Sequence, residues 1–153
     1  MSRLSPNLTT EEGRCRCGCG LGERPEEYPP DTVALVQTMR DIKGGPLWVN
    51  SWLRCQRYNA LVGGVENSAH VRGTAVDLGA RNAVDRYNLI VLAVLAAIRT
   101  LHHVPGIDWH LLFLTLRDPL RGIGLAKTFV HVDTDSVCAR PAAWGYGPEG
   151  GGG

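Results

Sequence analysis

The sequence predicts an α+β fold, a small antiparallel sheet flanked by helices. Two stretches, residues 31–43 and 83–103, carry apolar side chains at helical spacing. Between and after them lie short aliphatic segments at 47–49, 73–78, 108–116 and 121–134, of the kind that form strands. That mixture places helices on one side of a small sheet.

Residues 1–29 read as an arm. They are polar and turn-rich, with Gly13, Gly18, Gly20 and Gly22, and are broken by Pro25 and Pro29–Pro30. Asp31 is a good N-cap, and Val33, Val36, Met39 and Ile42 follow on one helical face. Gly44–Gly45–Pro46 ends that helix. Leu47–Trp48–Val49 is a short strand, and residues 55–62 suit a short helix closed by Gly63–Gly64. Gly73 to Leu78 alternates as a strand. The helix over 83–103 is apolar nearly all round, at Leu89, Ile90, Val91, Leu92, Val94, Leu95 and Ile98, which predicts burial on every side before Pro105–Gly106 stops it. Segments 108–116 and 121–134 form a strand pair around Asp118–Pro119. From Gly145 onward the chain is too glycine-rich to order itself. The expected organisation is an arm at 1–29, a domain at 30–144 and a flexible tail at 145–153.

Composition excludes several function classes. The chain has 153 residues, 44% hydrophobic and 20% charged, which fits one globular domain rather than disorder or coiled coil. A net charge of +1 lacks the basic footprint of a nucleic-acid binder. The longest apolar run, Leu89 to Ile98, is half of the about 20 residues a membrane span needs. The opening MSRLSPNLTTEEG has no apolar signal core, so the expectation is a soluble protein synthesised in a cytoplasm.

Of five cysteines, Cys15, Cys17 and Cys19 crowd together, while Cys55 and Cys138 stand apart. The odd count excludes complete internal pairing, and cytosolic synthesis favours free thiols. Structural zinc sites usually space paired cysteines by two to four residues, so the favoured reading is a tight turn against the domain. A structural zinc there, or a bridge from the arm to Cys55, are the alternatives.

Two of the five histidines stand in distinctive surroundings, His70 in NSAHVRGTAVD and His131 in TFVHVD. On a strand over 129–133, Phe129, His131 and Asp133 share one face while Val130 and Val132 take the other. Imidazoles with a carboxylate are a normal three-ligand set for catalytic zinc, and His70, Asp77 and His131 supply one. A satisfied structural histidine is the competing reading. His102 and His103 suit a helix C-terminus, and His110 has no spacing argument behind it.

Three blocks of residues resemble the zinc D-Ala-D-Ala carboxypeptidase and L-alanyl-D-glutamate endopeptidase family, in its short phage and bacterial murein-peptidase branch. The first is Leu4–Ser5–Pro6–Asn7–Leu8 followed by Cys15–Arg16–Cys17–Gly18–Cys19–Gly20. The second comprises Ser51, Arg54–Cys55, Asn59, Val62–Gly63–Gly64, Asn67–Ser68, His70, Gly73, Ala75 and Asp77. The third is Gly122–Ile123–Gly124, then Phe129–Val130–His131–Val132–Asp133, with Trp144 closing it. The resemblance implies the hedgehog/DD-peptidase fold, with Zn2+ held by His70, Asp77 and His131 in a cleft over one sheet face. It implies that Arg54 lies near the metal, where its planar cation holds a substrate carboxylate or the tetrahedral oxyanion. Ser68 is expected to orient a ligand or backbone, or to act as a simple turn hydroxyl.

Two departures stand out. Several family members place Glu, Asp or His just before the last zinc histidine, whereas here the residues are Leu125, Ala126, Lys127, Thr128 and Phe129. Asp133 is the nearest carboxylate, as catalytic base, as orienter of His131 or as a structural partner of a residue such as Arg140; His110 is the other candidate base. Trp52 stands where the family usually has glycine, either as a stacking face for substrate or as a core residue. The expected function is zinc-dependent hydrolysis of an amide bond in peptidoglycan stem peptides or cross-links. A phage or prophage lysis enzyme, or one attached to virion proteins, fits best, acting on the cell wall after release or within a particle. The alternative is a non-catalytic binding or structural module on the same fold.

Overall fold

The structure, a computed structural model, describes residues 2–101, 120–137 and 142–147. The arm is more structured than a run of turns. It holds a small antiparallel pair, β1 (Arg3–Ser5) and β2 (Leu8–Thr9), the single-turn helix α1 (Thr10–Gly13) and a 3-10 turn at Pro25–Glu27. Leu8 and Tyr28 enter the core, and the Tyr28 hydroxyl donates to the carbonyl of Thr10 at 2.9 Å or of Gly22 at 2.8 Å.

The first long helix, α2 (Pro30–Lys43), begins one residue before the expected Asp31 cap, because proline's fixed φ is ready-made for a first helical position. Asp31 instead lies in the first turn, where a negative charge suits the helix dipole. Gly44 ends the helix at φ 70°, its N–H bonded to the Arg40 carbonyl at 2.9 Å. Leu35, Val36 and Met39 are fully buried, with Val33 and Ile42 packed beside them.

A five-stranded sheet follows the order β3 (Val49–Ser51), β4 (Ala75–Gly79), β6 (Phe129–Asp133), β5 (Gly122–Leu125), β7 (Ala142–Gly145). It is antiparallel except at its last edge, where β7 runs parallel to β5. The short helix α3 (Gln56–Leu61) follows β3, and α4 (Ala83–Leu101) follows β4. Val76, Leu78, Val130 and Val132 form one sheet face, buried with α2 and α4 in a single core. The opposite face carries Asp77 and His131.

Three sequence expectations change. The segment 121–134 is a complete hairpin, β5 and β6, joined by a turn in which Ala126 N–H bonds Phe129 O at 3.1 Å. The helix α4 buries one stripe rather than its whole circumference. Leu89, Ala93, Ala96 and Ala97 face inward while Val84, Tyr87 and Leu95 are exposed, so small alanines seat it against α2. The expected tail also starts too early. Gly145 belongs to β7, and Tyr146 N–H bonds the Leu125 carbonyl at 2.8 Å. The expected strand 108–116, His102, His103, His110, Cys138, Arg140 and residues 148–153 lie outside the described residues. Among the described residues no helix is long and apolar enough to cross a membrane.

Candidate metal centre

One cross-strand row builds the site. Ser51 on β3 pairs with Asp77 on β4, Asp77 with His131 on β6, His131 with Gly124 on β5, and Gly124 with Trp144 on β7. Strand alternation aims alternate residues at the same face, so this row faces away from the valine core. His70 joins it from the turn preceding β4, where Thr74 and Gly73 bond back to the carbonyls of Ala69 and His70.

His70, Asp77 and His131 are all buried and converge on one point. His70 Nε2 lies 3.1 Å from Asp77 Oδ1 and 3.2 Å from His131 Nδ1, and His131 Nδ1 lies 2.9 Å from that same oxygen. The outward-facing atoms fix the tautomers. His70 Nδ1 donates to the Trp52 carbonyl at 2.8 Å, which leaves Nε2 as a bare lone pair. His131 Nε2 faces Asp133 Oδ2 at 3.4 Å, so a proton there leaves Nδ1 bare as well. Three electron-pair donors then meet in a buried space, an arrangement that is costly until a cation sits among them. Two imidazoles and a carboxylate are a donor set that suits zinc.

The contacts around the point also set the ionisation of its three groups. Burial alone would raise the Asp77 carboxyl, but the His70 and His131 imidazoles outweigh it and hold the group well below the usual carboxylate range. Burial lowers the His70 pKa and keeps its ring neutral. It opposes charge on His131 too, yet Asp133 and Asp77 prevail and raise that pKa.

Arg54 is not a surface ion-pair residue. Its side chain is 16% exposed; Nη2 donates to Asp77 Oδ2 at 2.6 Å and Nε to Ser51 Oγ at 2.8 Å. Asp77 is therefore shared, one oxygen toward the imidazoles and the other on the guanidinium. Asp133 is completely buried behind His131, and its other oxygen accepts the Asp135 N–H at 3.1 Å. Ser68 Oγ accepts the His70 N–H at 3.3 Å, the backbone-orienting option.

Trp52 requires a correction as a substrate-stacking residue. It is 1% exposed, its ring meets Tyr28 edge-on at 5.2 Å, and its N–H donates to the Gly73 carbonyl at 2.8 Å. With both faces packed, only its backbone carbonyl serves the site.

Sequence reasoning missed Tyr146. Its ring centroid lies 6.4 Å from that of His131, and Trp144 lies at 5.3 Å. Burial and then the Asp77 charge push the Tyr146 phenol up to about 12, so it stays protonated at neutral pH. The signal was present in Gly124. A Cβ there would come within 2.8 Å of both rings, so this glycine is the opening that admits them.

A buried His/Asp/His set on the polar face of an α+β sheet defines the chain as a candidate metallohydrolase. A family model described as Peptidase M15 matches residues 4–104, and the chain belongs to that family. Its members are zinc peptidases, which gives the chain the class of a zinc metallopeptidase. The match takes in Arg54, His70 and Asp77; His131 comes to them through β6. No curated protein matches the chain.

Proposed function

We propose that the chain hydrolyses an amide bond in peptidoglycan, in a stem peptide or a cross-link, as a phage or prophage lysis enzyme or a virion-associated peptidase. The observation that carries this reading is the convergence of His70 Nε2, Asp77 Oδ1 and His131 Nδ1 within 3.2 Å of one another on the sheet face opposite the valine core. These three atoms would hold zinc. Bound there, zinc supplies Lewis acidity, acidifying water and polarising a carbonyl, which is what amide hydrolysis needs at neutral pH.

The remaining roles belong to the chain. The Trp52 carbonyl and the Asp133 carboxylate each fix one imidazole in the tautomer that presents its lone pair inward. Arg54 is first a positioning residue, orienting Asp77 through its Oδ2. Its two bonds use two of five guanidinium donors, and the rest of the planar fork suits a substrate carboxylate or a developing oxyanion. Trp144 and Tyr146 form an aromatic wall beside His131 that excludes water from one side. The substrate class rests on the three sequence blocks resembling murein peptidases, whose members Arg54, His70, Asp77, His131 and Trp144 come together around this one point.

One observation favours a second reading, a binding or structural module of a phage particle. Residues 125–129 offer no proton acceptor, and Asp133 lies behind His131 rather than beside the converging atoms. Zinc-loaded protein incubated with purified peptidoglycan separates the two. Mass spectrometry should find new amine and carboxyl ends that vanish with a chelator. Co-sedimentation with intact, uncleaved peptidoglycan would instead favour the module.

A further inference from the structure

The arm holds a second convergence, made of sulfur. Cys15, Cys17, Cys19 and Cys55 place their Sγ atoms all within 4.8 Å of one another. Cys15 and Cys17 are 3.4 Å apart and Cys17 and Cys55 3.6 Å. A disulfide requires about 2.05 Å, while four thiolates at ~2.3 Å from a tetrahedral zinc stand about 3.8 Å from one another. The cluster therefore has the spacing of a tetrahedral cation site.

The one-residue gaps in Cys-x-Cys-x-Cys, which weigh against zinc in the sequence, are overcome by the loop. Cys15 N–H bonds the Leu21 carbonyl at 2.9 Å, closing the segment on itself. Between Cys17 and Cys19 the chain turns at Gly18, with φ 74°. No Cβ would clash there, so this glycine is used for its left-handed backbone rather than for space. The fourth sulfur comes from the other side, at the N-cap of α3. Backbone N–H groups point at two of the sulfurs, Cys55 N–H at Cys15 Sγ (3.3 Å) and Tyr58 N–H at Cys55 Sγ (3.4 Å). Such donors favour the thiolate over the thiol, the state a metal requires.

We propose that Cys15, Cys17, Cys19 and Cys55 form a structural tetrathiolate zinc site, separate from the His70, Asp77 and His131 centre. Binding exchanges the four thiol protons for the cation and releases them to solvent. The site staples the arm to the segment joining β3 and α3, immediately beside Arg54. It thereby anchors the backbone that carries the Asp77 partner.

Elemental analysis and native mass spectrometry of the full chain, expressed with zinc and kept reduced, test this. The wild type should hold about two zinc ions. His131→Ala should keep one, and Cys17→Ser/Cys19→Ser should keep the other. If the double serine variant does not fold, two measurements that leave the cysteines intact decide, one on His131→Ala and one on the wild type. Cobalt exchanged into His131→Ala should show intense thiolate-to-metal charge-transfer absorption. Alkylation should reach Cys15, Cys17, Cys19 and Cys55 only after a strong chelator is added. A wild type whose bound zinc disappears entirely in His131→Ala overturns the proposal. So does a cobalt protein lacking thiolate bands, or one whose four cysteines alkylate freely before chelation.

Discussion

Nε2 of His131 faces Oδ2 of Asp133 at 3.4 Å, two residues further along the same strand. The imidazole thus stands between this carboxylate and the point where Nδ1 meets Asp77. That placement fits a positioning role for Asp133, exerted through His131. Asp133→Asn should therefore weaken zinc affinity roughly 10–100-fold, with turnover recovering as zinc is added. Chelator competition measures the first effect and a zinc titration of activity the second. Unchanged affinity with lost turnover would return Asp133 to the role of base.

His131→Ala removes one of three donors from the buried point. Zinc at this centre and peptidase activity should disappear together, while Co2+ or Zn2+ added back to the wild-type apoprotein should refill the centre and restore activity. A variant that turns over normally with metal bound would overturn the ligand assignment.

Arg54 offers a sharper separation. Arg54→Ala should leave the fold intact and lower turnover by about 10²-fold, through the loss of an oriented cation at Asp77 and at the substrate. Arg54→Lys should recover only part, because an ammonium cannot bond Asp77 Oδ2 and Ser51 Oγ in one plane. Steady-state kinetics with zinc content measured in parallel would check this. Full activity in the alanine variant would remove Arg54 from the site.

The arm contributes stability through Arg40, which is buried and donates to Glu12, to the Asn7 carbonyl and to the Leu47 carbonyl at 2.9 Å. Arg40→Ala should cost about 3 kcal/mol in denaturant unfolding. Burial works against the Glu12 charge, but Arg40 outweighs it and lowers the Glu12 pKa. A depressed carboxyl stabilises the fold above its unfolded pKa of about 4.3, and that contribution is lost as pH falls through the folded value. Glu12→Gln should flatten the pH dependence of stability in that acid range. An unchanged slope would assign the acid loss to other carboxylates.

Gly124→Ala tests the aromatic wall. The added methyl meets Trp144 and Tyr146 ring atoms at 2.8 Å, and rigid rings must shift away from His131. Zinc should be retained while turnover falls by up to about 10²-fold through misplaced substrate. Normal kinetics would show that the wall does not shape the cleft.

What the sequence revealed follows the range of the interactions involved. The helix α2 was legible because its period and its proline and glycine ends are local signals. The face shared by His131 and Asp133 was legible from strand alternation, but that alternation does not say which imidazole nitrogen points where. Strand β7 was illegible. Ala142–Gly145 is short, and its parallel pairing with β5 depends on a partner twenty positions earlier. Tyr146 was hidden by the glycines after it. Trp52 misled because proximity to Arg54 in sequence suggested a cleft, while its ring turns the other way into the space beside Tyr28. The spacing of Cys15, Cys17 and Cys19 does not show that the Cys55 sulfur gathers with theirs, since Cys55 joins them only through tertiary folding.

Asp77 and His131 stand opposite each other although 54 positions separate them along the chain. A growing polypeptide that has emerged through α4 already displays Arg54, His70 and Asp77, yet lacks the third donor until β6 docks against β4. Such distant pairing is slow to form, and a domain generally folds as a unit. The three-donor point is therefore completed late in biosynthesis, and a chain released from the ribosome before β6 lacks His131 altogether.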